Sequence, residues 1–108
     1  QQMDLQAQIK QELTIAYALA EESLHVLRLY RQQLSPLADE KVAAAKADYQ
    51  SGKGDFLSLI NSKKDRLQTT LETEQALANV HRRFAELEQA VGTIASLSIL
   101  QQKGSIAQ

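Results

Sequence analysis

The chain contains no cysteine and no tryptophan. Lacking thiols, it can form no disulfide, thiolate metal site or cysteine nucleophile, and both oxidising and reducing compartments suit it. A single proline and four glycines are too few punctuating residues for a turn-rich β architecture. Three tyrosines and two phenylalanines cannot build a large aromatic core. The 12 basic and 13 acidic residues are interspersed and leave a formal charge of -1. There is therefore no basic stripe of the kind that neutralises phosphates, and nucleic acid is not expected as a partner. No run reaches the roughly 18 to 20 apolar residues that a membrane helix requires. The opening residues Gln1-Gln2-Met3-Asp4 lack the charged and apolar regions of a signal peptide. This segment is not expected to insert into a membrane directly.

What remains is Ala, Leu, Gln, Glu and Lys at 44% hydrophobic and 23% charged residues, a composition suited to long helices. The strongest helix-breaking cluster is Ser51-Gly52-Lys53-Gly54-Asp55, with helix-period sequence on both sides. The spacing predicts an all-α fold, a long antiparallel coiled-coil hairpin, with arm one over about 4–50, a turn at 51–54 and arm two over 55–92. Gly52 suits the left-handed position that closes a helix, and Asp55 suits the N-cap of the next, bonding the free amides near Leu57 and Ser58. Residues 93–108 read as a tail, weakly helical from Thr93 to Gln101 and frayed beyond.

Arm one carries a core stripe at Leu13, Tyr17, Ala20, Leu24, Leu27, Arg31, Leu34, Ala38, Val42, Ala45 and Tyr49. Arm two carries one at Phe56, Ile60, Lys63, Leu67, Leu71, Glu74, Leu77, Val80, Phe84, Leu87 and Val91. Paired outward from the turn, these set Tyr49 against Phe56, Leu34 against Leu71, Tyr17 against Leu87 and Leu13 against Val91. Arg31 and Glu74 become an oppositely charged register pair in a mostly apolar seam. Two readings of Pro36 stay open: a kinked but continuous arm, or a break with Ser35 as N-cap and Pro36 at the first helical position. The successive four-residue steps Leu34, Ala38, Val42 read as a stutter. A second stripe on arm one, Ile15, Leu19, Val26, Leu29 and Leu37, lies about 100° from the core stripe and expects a neighbouring hairpin. Alone in solution the chain is expected to cover that stripe by self-association, most simply as a two-fold four-helix dimer.

Catalytic chemistry finds little support. Arms of roughly 40 residues form a rod about 60 Å long with almost no concave interior, so the chain is not expected to be an enzyme. His25 and His81 read as solvated edge histidines; a metal site would need further ligands, with Glu21 and Glu22 the nearest candidates. Gly52-Lys53-Gly54 lacks phosphate-loop spacing, and no cofactor is expected. Glu21-Glu22, Lys63-Lys64 and Arg82-Arg83 read as solvated helix faces.

The run from Tyr49 through Ser62, with its tyrosine, a glycine three residues later, a short polar turn and the apolar opening Phe56-Leu57-Ser58-Leu59-Ile60, resembles the periplasmic tip of TolC-like outer-membrane efflux proteins. Leu29-Tyr30-Arg31 and Leu34-Ser35-Pro36 are similar to that family's entry into the descending helix. Leu87-Glu88-Gln89-Ala90-Val91-Gly92 is similar to its close of the returning helix. The likeness covers about 13–92 and is closer to the second of the family's two repeats. It implies one hairpin of a trimeric tunnel in the periplasm, part of an outer-membrane-anchored protein that passes substrates without converting them. It also implies a tip at Gly52, Lys53 and Gly54 docking a periplasmic adaptor, and through it an inner-membrane pump, with Tyr49, Phe56 and Leu57 holding the turn in shape. Ser58 and Asn61 fall, with Gly54, at the tunnel mouth, where the family often has charged side chains; a salt-bridged gate is in doubt here. The rival reading is a coiled-coil hairpin of a periplasmic adaptor protein, or an unrelated coiled-coil spacer.

Overall fold

The computed structural model describes the backbone of residues 5–107 and the side chains of 5–100 and Gln102. The fold is an all-α helical hairpin. Arm one comprises α1 (Leu5–Leu29), a π-turn (Tyr30–Leu34) and α2 (Ser35–Gln50), and arm two is the single helix α3 (Phe56–Ala107). The chain divides into an end unit, Gln1–Ser23 with Val80–Gln108, and a turn unit, Leu24–Asn79.

Arm one is continuous across Pro36. Ser35 does not cap a new helix: its backbone is helical (φ -64°, ψ -50°) and its N–H donates to the carbonyl of Tyr30, five residues back. A proline has no N–H to donate and its ring crowds the carbonyl of the preceding turn. Widening that turn to a π-turn accommodates the ring without ending the helix.

On arm one the seam keeps most of the expected stripe, at Leu13, Ala20, Leu27, Leu34, Ala38, Val42 and Ala45, whereas on arm two it lies largely on a different face. In the end unit it comprises Ile9, Leu13, Ala16, Ala20 and Ser23 on arm one, with Val80, Arg83, Leu87, Ala90, Ile94 and Leu97 on arm two, each buried or half-buried. In the turn unit it comprises Leu27, Tyr30, Leu34, Ala38, Val42 and Ala45, with Leu59, Ser62, Thr69, Thr73 and Ala76. On arm two these positions follow an unbroken alternation of three- and four-residue steps, completed by the exposed Arg66. Most of the expected arm-two stripe stands one residue off, about 100° around the helix, although Val80 and Leu87 coincide with the seam. Lys63, Leu67, Leu71, Glu74, Phe84 and Val91 are exposed, and so are Tyr17 and Arg31 on arm one. The sequence reading placed the largest apolar side chains at the centre. On arm two the fold packs serine, threonine and alanine at several seam positions beside Leu59, Leu87, Ile94 and Leu97, and Leu67, Phe84 and Val91 stand exposed on the flank.

Polar seam residues cost little because they satisfy themselves. Ser23 Oγ donates to the Ala20 carbonyl at 2.7 Å, Ser62 Oγ to Leu59 at 2.7 Å, Thr69 Oγ1 to Asp65 at 3.1 Å and Thr73 Oγ1 to Thr69 at 2.8 Å. Arg83 enters the end-unit seam with its aliphatic stem and places Nη1 3.1 Å from Glu86 Oε1. The charged residue in the seam is thus paired along one helix and not across two. Arg31 and Glu74, the expected register pair, each follow a seam position by one residue, stand exposed and form no ion pair with each other.

The seam runs past Gly92, which from sequence alone seemed to close the arm. Ile94 and Leu97 line a groove with Leu5, Gln6, Ile9 and Lys10 in the end unit, and α3 extends to Ala107 rather than fraying after Gln101. Gly92 is helical, and a Cβ built on it meets no atom within 4 Å. Gly92→Ala is therefore expected to stabilise the chain by about 0.5–1 kcal/mol, measured by urea unfolding; a destabilised variant would mean that this stretch is not helical in solution.

Candidate functional site

The turn between the arms is built from backbone hydrogen bonds. After α2 ends, the Lys53 N–H donates to the Asp48 carbonyl at 2.8 Å and the Gly52 N–H to the Tyr49 carbonyl at 3.2 Å. This crossed pair is the Schellman closure, which requires a left-handed residue between helix and loop. Gly52 supplies it, with φ of 81°. The Asp48 carbonyl also accepts the Gly54 N–H at 3.0 Å and the Ser51 hydroxyl at 3.2 Å, so three donors converge on one oxygen. Sequence reading missed Asp48, because the role belongs to its backbone. Gly54 is held against the same residue: a Cβ there would lie 3.0 Å from Asp48 Cβ. Gly52 is open by contrast, with nothing within 4 Å of an added Cβ, so a side chain there would project into solvent from a strained backbone.

Asp55 caps the returning helix, its Oδ1 accepting the Ser58 N–H at 2.8 Å. Hydrogen bonds from the Ser58 side chain and then its backbone hold the Asp55 carboxyl below the usual aspartate range. Because the folded pKa is depressed, the stabilisation is present above the ordinary aspartate pKa and is lost as pH falls through the folded value. Acidification below about pH 4 is expected to loosen the start of α3 in the wild type, and Asp55→Asn is expected to remove that part of the pH dependence. Amide exchange at Ser58 followed against pH checks both; identical profiles would dismiss the cap as a titrating element.

Beside the turn, Tyr49 and Phe56 meet with ring centroids 5.7 Å apart and planes tilted by 58°, bracing the ends of the two arms. Both remain exposed, as do Lys53, Leu57, Ser58 and Asn61. The tip therefore presents a lysine, two aromatic edges and a leucine around a rigid loop. Leu59, absent from the expected core stripe, is the buried residue that anchors α3 here.

Two further surfaces flank the seam of the turn unit. In antiparallel helices, residues displaced by one position in the same chain sense turn to the same side of the pair. Positions just before the seam form one face: Val26, Leu29 and Leu37 on arm one, with Asp65, Gln68, Glu72 and Gln75 on arm two. Leu37 and Lys41 line a groove on this side with Asp65 and Glu72. Positions just after the seam form the opposite face: Leu67 and Leu77 on arm two, with Arg28, Arg31, Asp39 and Lys46 on arm one. The first face is apolar mainly on arm one, where Lys41 interrupts it, and the second mainly on arm two, where Lys63 and Glu74 interrupt Ile60, Leu67 and Leu77. In the end unit, Leu13 and Tyr17 line an outer groove with Leu87 and Val91. These four were expected to pair in the seam; Leu13 and Leu87 do lie in it, and Tyr17 and Val91 meet them from its exposed flank. Ile15 is exposed and Leu19 half-buried.

His25 and His81 are both exposed. Among the described residues no group of three or more metal-ligating side chains could hold an ion, and no helix is long and apolar enough to cross a membrane. No protein-family model matches the chain, and neither a curated protein nor a solved structure is significantly similar to it.

Proposed function

We propose that this chain is a hairpin of the periplasmic tunnel of a TolC-like outer-membrane efflux channel, with its tip docking an adaptor protein and, through it, an inner-membrane pump. The observation that carries the reading is the pair of flanking faces in the turn unit. An isolated hairpin needs no apolar side chains outside its seam, yet Leu67 is 60% exposed on one flank and Leu37 45% on the other. Because one apolar stripe belongs to arm one and the other to arm two, on opposite sides, a two-fold dimer would cover only one of them. Side-by-side packing of one copy's first face on the next copy's second face covers both, and such heterologous contacts make a ring where the rotation between copies closes. The charges lean the same way without a clean separation: Asp65 and Glu72 lie on the first face with Lys41, and Arg28, Arg31, Lys46 and Lys63 on the second with Asp39 and Glu74.

The tip fits a docking role because its loop is rigid and its outward position, Gly52, is unobstructed. The tunnel passes substrates without converting them, and in the native protein it is a homotrimer. In the intact channel, Gly52→Trp is expected to reduce export and adaptor cross-linking at least tenfold, since a left-handed position costs a side chain roughly 1–2 kcal/mol and the indole would project into the docking surface. Gln32→Ala, on neither flanking face, should leave both unchanged. Normal export and cross-linking by a folded Gly52→Trp channel would remove the docking assignment. Lipoyl-like sequence flanking this segment in its parent gene, in place of barrel strands, would make it an adaptor hairpin instead.

A further inference from the structure

In the turn unit the two arms spend different lengths of chain on the same seam. Arm two passes through Leu59, Ser62, Arg66, Thr69, Thr73 and Ala76 in alternating steps of three and four. Arm one passes through Leu27, Tyr30, Leu34, Ala38, Val42 and Ala45, with three consecutive steps of four between Tyr30 and Val42. For an equal number of positions, arm one therefore uses one residue more. A π-turn is the way an α-helix carries one extra residue, and the only irregular helical turn among the described residues, Tyr30–Leu34, opens that stretch. Pro36 follows immediately and has no N–H to contribute to a regular turn.

We propose that the π-turn at Tyr30–Leu34 is a phase-setting device, a one-residue insertion pinned by Pro36 that decides which face of α2 meets arm two. Carried on from Leu34 as regular α-helix, the three- and four-residue steps would bring Leu37, Lys41, Ala44 and Asp48 to the seam. That phase takes a lysine and an aspartate out of water, which is costly without partners, and removes Leu37 from the outer face. With the insertion, Ala38, Val42 and Ala45 enter instead. Leu37 then stays on the flank already occupied by Val26 and Leu29, so the outer apolar stripe continues across the irregular turn. The device rests on seam spacing alone and stands whether or not the chain belongs to an efflux channel.

Two cysteine pairs in the otherwise complete chain test it: Leu27→Cys with Ala76→Cys before the π-turn, and Val42→Cys with Ser62→Cys beyond it. Each is combined with deletion of Gln33, inside the π-turn, or of Ala44, in regular helix. If the π-turn holds the surplus residue, deleting Gln33 leaves both pairs oxidising within about threefold of the undeleted rate. The melting temperature should then stay within about 4–8 °C of the parent. Deleting Ala44 should slow the Val42–Ser62 pair at least tenfold and lower the melting temperature by more than that interval. The proposal is overturned if the Gln33 deletion unfolds the chain, slows the Val42–Ser62 pair tenfold, or destabilises it as much as the Ala44 deletion does.

Discussion

Ala20→Leu lowers the stability of the hairpin by about 1–3 kcal/mol, whereas Leu67→Ala changes it by less than about 1 kcal/mol. This reverses the usual ranking, in which losing a leucine is the damaging change and enlarging an alanine the mild one. Ala20 is 1% exposed at the centre of the end-unit seam, while Leu67 is 60% exposed. Ala20 is all but fully buried beside Ala16 and Ser23 in that seam, so extra carbons there must push the helices apart or leave their rotamers. Truncating Leu67 loses only what little it buries in a single copy. Thermal melts at low protein concentration, where 1 kcal/mol corresponds to roughly 4–8 °C for a chain of this size, separate the two variants clearly. A Leu67→Ala melt depressed as far as that of Ala20→Leu would put Leu67 back in the seam.

The second large effect concerns assembly, and it takes its sharpest form in a mixture. At high concentration the wild-type chain should associate, because burying exposed apolar surface contributes roughly 25 cal/mol per Å² before entropic losses. Leu29→Glu damages the first face and Leu67→Glu the second. In a head-to-tail contact each variant alone has no complete interface and stays monomeric. Mixed, the intact second face of the Leu29→Glu copy meets the intact first face of the Leu67→Glu copy, giving a heterodimer that grows no further. A two-fold dimer through Val26 and Leu29 would behave otherwise, since Leu67→Glu would dimerise by itself. Light scattering on the two variants and their mixture decides between the arrangements; a Leu67→Glu homodimer would reject the head-to-tail contact and with it the main support for a tunnel wall.

The hairpin and its turn were legible in the sequence because glycine and aspartate act locally. Gly52 takes the left-handed position, Asp55 bonds the Ser58 amide, and Tyr49 meets Phe56 across the turn. These outcomes depend on a few consecutive residues. The seam was less legible because a stripe chosen for bulk favours Leu67, Leu71 and Phe84 over Thr69, Thr73 and Ala76. The alternating steps from Leu59 to Leu97 were present to be read, but only by counting serine, threonine and alanine as seam residues. Their hydroxyls bond back to their own helix, so in this setting they behave as small apolar groups. The π-turn gave one signal, the consecutive four-residue steps near Pro36, which was read as a stutter. Asp48 gave none, since a carbonyl oxygen accepting three donors is invisible in the identity of its side chain.

The inward habit of those hydroxyls has a consequence for how the turn unit comes apart. Ser62, Thr69 and Thr73 have their hydrogen bonds within α3, so separating the arms leaves these three hydroxyls bonded. Opening then resembles unfastening a zip with smooth teeth: each layer gives up a small area of contact, and no single layer holds the rest shut. Arm two can lose its neighbour locally while staying helical, and the cost of parting rises gradually with distance from the turn instead of in one step.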